Sequence, residues 1–297
     1  MIKKKIITRL CGGIGNQLFI YAASRRLAYI NNAELVLDIV SGFKHDYKYR
    51  RNFQLSHFNI KSRNARPSEI FHPFTRYVLR IKSWLNRPVQ YSNKNYIKEY
   101  NLDFDNRLLD FRVHSNLYLE GYWQSYKYFE DIEGVIRSDL EIIPPNDSVN
   151  LSTAKKITNS KSVAIHIRYF DNSLNNSSNN APVEYYIDAI RRMEIEEPNS
   201  HYFIFSDKPI NGAIKLYLPK NRFTIINHNF TPDMAYADLW LMSLCNNFIA
   251  SNSTFCWWAC WLSKNTKKIV FCPSQNRFDK EHSWALSNLI PDDWVQL

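Results

Sequence analysis

"DLWLMSLCNNFIASNSTFCWWACWL", residues 238–262, packs the fold decision into one run. The periodic apolar residues up to 244 read as a helix, Asn247-Phe248-Ile249-Ala250 as a short strand. The polar turn Ser251-Asn252-Ser253-Thr254 then opens a second helix over 254–263. Strand and helix alternating at this spacing is the pattern of a parallel α/β sheet. Outward from the quoted run the alternation continues. Upstream lie a strand over 162–168 (SVAIHIR), a helix over 183–195, a strand over 202–206 (YFIFS), a strand over 223–226 and a helix over 233–244. Downstream lies a strand over 268–271. Ligands of such sheets bind beyond the C-terminal strand ends. That rule nominates Arg168, Ser206-Asp207 and Ser251-Asn252-Ser253-Thr254 from three different strands.

The first third opens in the same way. Residues 5–10 (KIITRL) read as a strand, and three of the chain's seven glycines follow within four positions, at 12, 13 and 15. A helix over about 16–31 carries Phe19, Ala23, Leu27 and Ile30 at helical spacing, and a strand at 35–38 follows. Residues 40–66 are polar and irregular. Residues 71–87 form a basic amphipathic stripe, 117–121 a strand, and 125–140 a helix. Pro144-Pro145-Asn146-Asp147 is the strongest punctuation, and we divide the chain near it into domains 1–150 and 151–297.

Composition narrows the class. The longest apolar region is broken twice by polar residues and falls short of the roughly 20 apolar residues of a spanning helix. Five cysteines without a CxxC spacing favour neither a disulfide framework nor a zinc site, and a reduced cytoplasmic setting is the simplest expectation. Charge is lopsided: residues 1–100 hold 19 Lys/Arg against 5 Asp/Glu, the remainder 19 against 23. A basic first third suits an anionic partner or surface. The stripe at 71–87, with Trp84, suits either a membrane surface or packing on its own domain with a solvated basic face.

The glycine loop fits neither G-x-G-x-x-G nor a P-loop. What remains is a strand–loop–helix whose free N–H groups suit an anion or a polar ligand edge, with Asn16 as a natural N-cap. A tight turn and nothing more is the plainer reading. In "HIRYFD" (166–171), His166 and Arg168 share one face of the strand. A guanidinium at the strand end can grip phosphate oxygens bidentately; a structural Arg168–Asp171 pair is the alternative. Asp207 offers a carboxylate suited to the paired N–H groups of guanine, or to capping the next helix. Trp257, Trp258 and Trp261 pack their helix against the sheet, with sugar stacking the minority reading. Asp103-Phe104-Asp105 matches a metal-binding D-x-D, but no apolar strand precedes it.

Together these stretches resemble glycosyltransferase family 11, the α-1,2-fucosyltransferases of bacterial type. The similar runs are 12–28, 119–131, 166–171, 202–207 and 238–262, in the family's order. The resemblance implies an α/β, GT-B-like architecture of two Rossmann-like domains facing a cleft. The N-terminal one would lie on the acceptor side and the C-terminal one would bind the donor, with the last helix able to pack back onto the first. It implies inverting transfer of fucose from GDP-β-L-fucose to the 2-hydroxyl of a sugar, commonly galactose, without a metal or other cofactor. The product would be a cell-surface polysaccharide such as O-antigen, on an acceptor that can be linked to lipid diphosphate. It places the protein in the cytoplasm or on the inner membrane face, with no nucleic-acid partner.

By position, Arg168 matches the arginine facing the β-phosphate, and Ser206 and Asp207 the guanine-reading stretch. Ser253, Thr254 and Phe255 match the phosphate-side loop. Gly13, Gly15, Asn16 and Gln17 would approach the donor across the cleft. The catalytic candidates are Arg168, His166 and Asp171. Loop 172–181 holds no carboxylate, which leaves Asp171, an acid of the first domain or the departing phosphate as the base. Tyr169 stands where the family pattern has a second arginine, so one positive charge near the diphosphate is missing. The other readings are a same-fold transferase using another GDP-deoxysugar or acceptor hydroxyl and, more distantly, a non-catalytic nucleic-acid-binding protein.

Overall fold

The computed structural model describes residues 4–70, 74, 77–78, 81, 91–170, 179–278, 284 and 288–297. Contacts gather into two compact units: Met1–Glu141 with Ser287–Leu289, and Ile142–Leu286 with Ile290–Leu297. The division therefore precedes the Pro144-Pro145 pair, because the helix capped by Asp147 already packs within the second unit.

The first unit contains β1 (Lys5–Arg9), α1 (Ile14–Ile30), β2 (Glu34–Asp38), β3 (Arg63–Asn64), β4 (Tyr96–Lys98), β5 (Leu117–Glu120) and α2 (Glu133–Asp139). Its strands are all parallel, in the order β3-β2-β1-β5-β4. Helix α1 is buried on nearly every side, its polar residues Gln17, Ser24 and Arg26 included. Its arginines survive burial by pairing. Arg26 grips Asp131 with Nε–Oδ1 2.9 Å and Nη2–Oδ2 2.7 Å, and Arg25 Nε meets Asp139 Oδ2 at 2.7 Å. Phe19 and Phe129 rings pack 6.3 Å apart. Residues 12–28 and 119–131, two of the stretches singled out above, are thus one packed piece.

The single helix expected over 125–140 is instead two 3-10 turns, Tyr126–Tyr128 and Glu130–Ile132, followed by α2. Phe129 breaks the run with φ −144°, which lets its fully buried ring turn inward. Strands β3 and β4 left no periodic signal because they are two and three residues long. The stripe at 71–87 lies outside the described residues except for positions 74, 77–78 and 81.

The second unit contains α3 (Ser148–Thr158), β6 (Ser162–Ile167), α4 (Val183–Glu196), β7 (His201–Ser206), α5 (Gly212–Tyr217), β8 (Phe223–Ile226), α6 (Ala235–Ser243), β9 (Asn247–Ile249), α7 (Thr254–Leu262), β10 (Val270–Cys272) and β11 (Val295–Gln296). These strands too are all parallel, in the order β11-β10-β9-β6-β7-β8. Every residue of the central strand β6 is buried, as expected for a strand covered on both faces. Trp257 and Trp258 are fully buried, and Trp257 lies 5.0 Å from Trp258 and 5.7 Å from Trp294. The packing reading of the tryptophans therefore holds. The five cysteines form no disulfide, and all except Cys11 are buried. Among the described residues no helix is long and apolar enough to cross a membrane.

Each strand order contains one reversal. In the first unit the chain proceeds outward from β1 to β3, crosses to the opposite edge as β4 and returns beside β1 as β5. In the second it proceeds from β6 to β8 and restarts beside β6 with β9. Such switch points leave a crevice beyond the strand C-termini.

Candidate functional site

At the switch point of the second unit the ends of β6, β7 and β9 carry the side chains nominated from the sequence. Arg168 follows β6 directly. Its Nη1 meets Asp207 Oδ2 at 2.7 Å, and its guanidinium carbon lies 5.5 Å from the centre of the Phe170 ring. Among the described residues its Nε and Nη2 make no hydrogen bond, so an edge of the fork is presented outward. The side chain keeps 29% of its surface.

Asp207, at the end of β7, is committed more heavily than the sequence suggested. Oδ2 takes Arg168, and Oδ1 accepts the Tyr169 N–H at 3.1 Å. It therefore holds the arginine; Asp171, which the sequence offered as an alternative partner for Arg168, lies outside the described residues. Ser206 forms a turn rather than a free hydroxyl, donating to the Lys208 carbonyl at 2.7 Å. Tyr169 is buried among the side chains under β6 rather than facing the crevice. Position 169 thus contributes packing.

His166 faces α7. Its Nδ1 is 2.7 Å from Ser251 Oγ and its ring 5.4 Å from that of Phe255. Burial first, and the Arg168 charge second, bring its pKa down to about 3. This buried imidazole, bonded to Ser251, ties the β6 and β9 ends together. Ser253 caps α7 by accepting the Phe255 N–H at 3.3 Å, which leaves Thr254 and Phe255 in the first turn of a helix beside Arg168's strand. That turn and the guanidinium favour negative charge at the same edge. Asn252 is 2% exposed, donates to the Asn179 carbonyl at 2.7 Å and keeps a buried Oδ1 without a hydrogen-bond partner among the described residues.

A group missed from the sequence stands at the end of β8. Asn229 Nδ2 donates to Asp238 Oδ1 at 2.8 Å and to Asn150 Oδ1 at 3.0 Å. Burial raises the Asp238 carboxyl to about 7. The available signal was an acid at the start of an otherwise apolar helix.

The crevice of the first unit is furnished differently. Helix α1 begins at Ile14 with Gly13 as N-cap and no side-chain cap, so Asn16 lies inside the first turn rather than capping it. Gly12 holds φ +75°, a conformation in which a Cβ would be strained. Gln17 has no exposed surface. Its Nε2 donates to the carbonyls of Gly12 (2.9 Å) and Asn52 (2.8 Å), and its Oε1 accepts the Gln54 N–H at 3.0 Å. Gln17 therefore clamps the loop and is no ligand contact, contrary to the sequence expectation. Asn16 Oδ1 accepts from Gln124 Nε2 at 2.9 Å, joining the β1 and β5 ends. Gly15 is buried and Gly13 partly exposed. Tyr122 to Gln124 fall within the run 119–131 singled out in the sequence, which assigned them no site role.

Two units, each a parallel sheet with one reversal in its strand order, form the kind of architecture in which ligands lie beyond the strand C-termini. Glycosyl transferase family 11 matches residues 6–295, so the chain belongs to that family and is a glycosyltransferase. An Alpha-1,2-colitosyltransferase of Escherichia coli is 27% identical over 98% of this chain and 98% of its own. The O-antigen biosynthesis glycosyltransferase WbnK of Escherichia coli is 28% identical over 97% and 99%. Among solved structures, NodZ α-1,6-fucosyltransferase soaked with GDP-fucose superposes with TM-score 0.52 at 15% identity, covering 91% of this chain and 95% of that one. A mutant of Arabidopsis thaliana FUT1 in complex with GDP gives TM-score 0.55 at 14% identity, covering 93% of this chain and 72% of that one. These likenesses establish the fold, of the GT-B kind.

Proposed function

We propose that the protein transfers L-fucose from GDP-β-L-fucose to the 2-hydroxyl of an acceptor sugar, galactose first among them, with inversion. The acceptor belongs to a growing O-antigen-type polysaccharide. The observation that carries this reading is the Arg168 fork, aimed by Asp207 beside the capped N-terminus of α7 at the second switch point. Family membership and the α-1,2 linkage and O-antigen named for the relatives support it. The second reading, a different GDP-deoxysugar, has a specific support: one relative is named for colitosyl transfer.

Departure of GDP places growing negative charge on the β-phosphate while the sugar becomes oxocarbenium-like. Arg168 supplies charge-assisted hydrogen bonds there, each worth about 1.5–3 kcal/mol. The N-terminal amides of α7 add fixed dipoles without reorganising. We propose that no metal takes part. The D-x-D reading finds little support, since both oxygens of Asp105 are held by Arg107, Oδ1 by its Nε and Oδ2 by its Nη2, each at 2.7 Å. His166, neutral and buried, positions Ser251. Asp171 remains the proposed base. Peripheral membrane association through 71–87, on the inner face, remains a proposal as well.

The test is GDP release from a panel of GDP-sugars against a panel of galactosides, with and without EDTA. Turnover with GDP-fucose that EDTA leaves unchanged supports the reading. Turnover only with another GDP-deoxysugar moves the assignment to the second reading, and loss with EDTA contradicts the metal-free mechanism.

A further inference from the structure

The first unit holds a cavity of about 320 Å³ at the C-terminal ends of β4 and β5. That volume is at the lower end of small-molecule pockets, roughly 300–1,000 Å³. Its inner wall is built with effort. Glu99, just past β4, is largely buried, and its carboxylate accepts the N–H groups of Tyr122 (2.6 Å) and Trp123 (3.1 Å). Those bonds hold Trp123 at φ +54°, a conformation that bulky residues rarely occupy. Only glycine fits at 121: a Cβ there would lie 2.5 Å from Glu99 Cβ and 2.8 Å from Trp123 Cε2. Strain maintained in this way clusters at functional sites. Trp123 is 1% exposed, yet its Nε1 has no hydrogen-bond partner among the described residues. A buried orphan donor of this kind calls for a ligand or water partner.

The lining also states what kind of ligand fits. Three cationic and three acidic side chains offset one another, unlike a phosphate site. Tyr91 and Tyr100 stand among them, Arg107 lying over the Tyr91 ring at 4.4 Å and Lys98 over the Tyr100 ring at 5.3 Å, with Tyr100 largely exposed. Aromatic faces beside mixed donors and acceptors suit an uncharged polyhydroxylated ring. Another cavity, about 500 Å³, lies around Lys161 and Asn246 at the N-terminal strand ends of the second unit, and no aromatic side chain lines it.

We propose that the cavity of the first unit seats a neutral sugar ring, the acceptor side of the transfer, with Glu99 and Trp123 as its inner polar contacts. This rests on the transferase reading above. Burial brings the Glu99 carboxyl up to about 7, which lets it accept a hydroxyl hydrogen bond without a permanent charge deep in the wall.

The experiment uses the full chain in wild-type, Glu99→Gln and Tyr100→Ala forms. Saturation-transfer NMR follows a panel of methyl glycosides (α- and β-galactoside, β-glucoside, α-mannoside, N-acetyl-β-galactosaminide), and calorimetry follows GDP in the same samples. At least one glycoside is expected to bind the wild type. Its Kd is expected to rise at least about fivefold in Glu99→Gln and about threefold in Tyr100→Ala, with GDP affinity unchanged. Tyr100→Ala changes an exposed side chain and so keeps the test valid if Glu99→Gln disturbs the turn. No glycoside binding, or equal binding in all three proteins with GDP affinity intact, overturns the pocket assignment alone. A wild type that ignores GDP overturns the transferase reading and the acceptor role with it.

Discussion

The two switch points share a topology and differ in what fills them. Beyond β1 and β5 the first unit places backbone and neutral amides: Gly12, Gly13, and the Asn16–Gln124 bond of 2.9 Å. Beyond β6 and β9 the second unit places charge and a neutral histidine: the Arg168–Asp207 pair at 2.7 Å and the His166–Ser251 bond of 2.7 Å. In both, one short side-chain bond ties the strands on either side of the reversal. The lesson is that the parallel frame fixes where a ligand can lie, while residue chemistry decides which ligand. A fixed positive fork suits a leaving diphosphate; neutral amides and aromatic faces suit an uncharged sugar.

If that contrast is right, removing the charge harms chemistry and removing an amide harms stability. Arg168→Ala should lower turnover by at least about 100-fold, the scale of losing a preorganised donor. Its melting temperature should stay close to wild type, because a part-exposed pair contributes no more than about 1 kcal/mol. Lysine at 168 should not restore activity, since a point charge lacks the two-pronged geometry. Steady-state kinetics beside thermal melts check both.

Gln17→Ala should do the reverse. It removes the bonds to the Gly12 and Asn52 carbonyls and from the Gln54 N–H, so urea unfolding should report a loss of about 2 kcal/mol. GDP affinity should change little.

The smallest effect concerns pH. The Asp238 carboxyl is raised to about 7 in the fold from an ordinary value of 3.8. The folded state therefore holds a proton that the unfolded state releases, and stability from this group falls as pH rises through that window. Asp238→Asn keeps an oxygen for Asn229. Its melting temperature relative to wild type should be higher at pH 8 than at pH 5, and a constant difference would contradict this.

Much of this was legible from pattern alone. The second unit's strands at 162, 202, 223 and 247 sit where apolar runs end in polar turns, because buried parallel strands are apolar throughout and their loops cannot be. The first unit hid more. Two- and three-residue strands carry no period, and the helix expected over 125–140 breaks where Phe129 turns inward. Arg168 was readable because a strand end exposes a side chain in a known direction. The roles of Gln17, Asp207 and Tyr169 were not, since each depends on a partner distant in sequence or on core burial. No motif in the sequence marks Glu99; only β4 lying beside β5 brings it to the Trp123 N–H.

Calorimetric titration of GDP into the wild type and Arg168→Glu tests the central claim most directly. We expect wild-type binding without added divalent cation, and affinity at least about tenfold weaker after charge reversal, from the loss of one charge-assisted bond. A wild type indifferent to GDP, or equal affinities in the two proteins, would contradict the account.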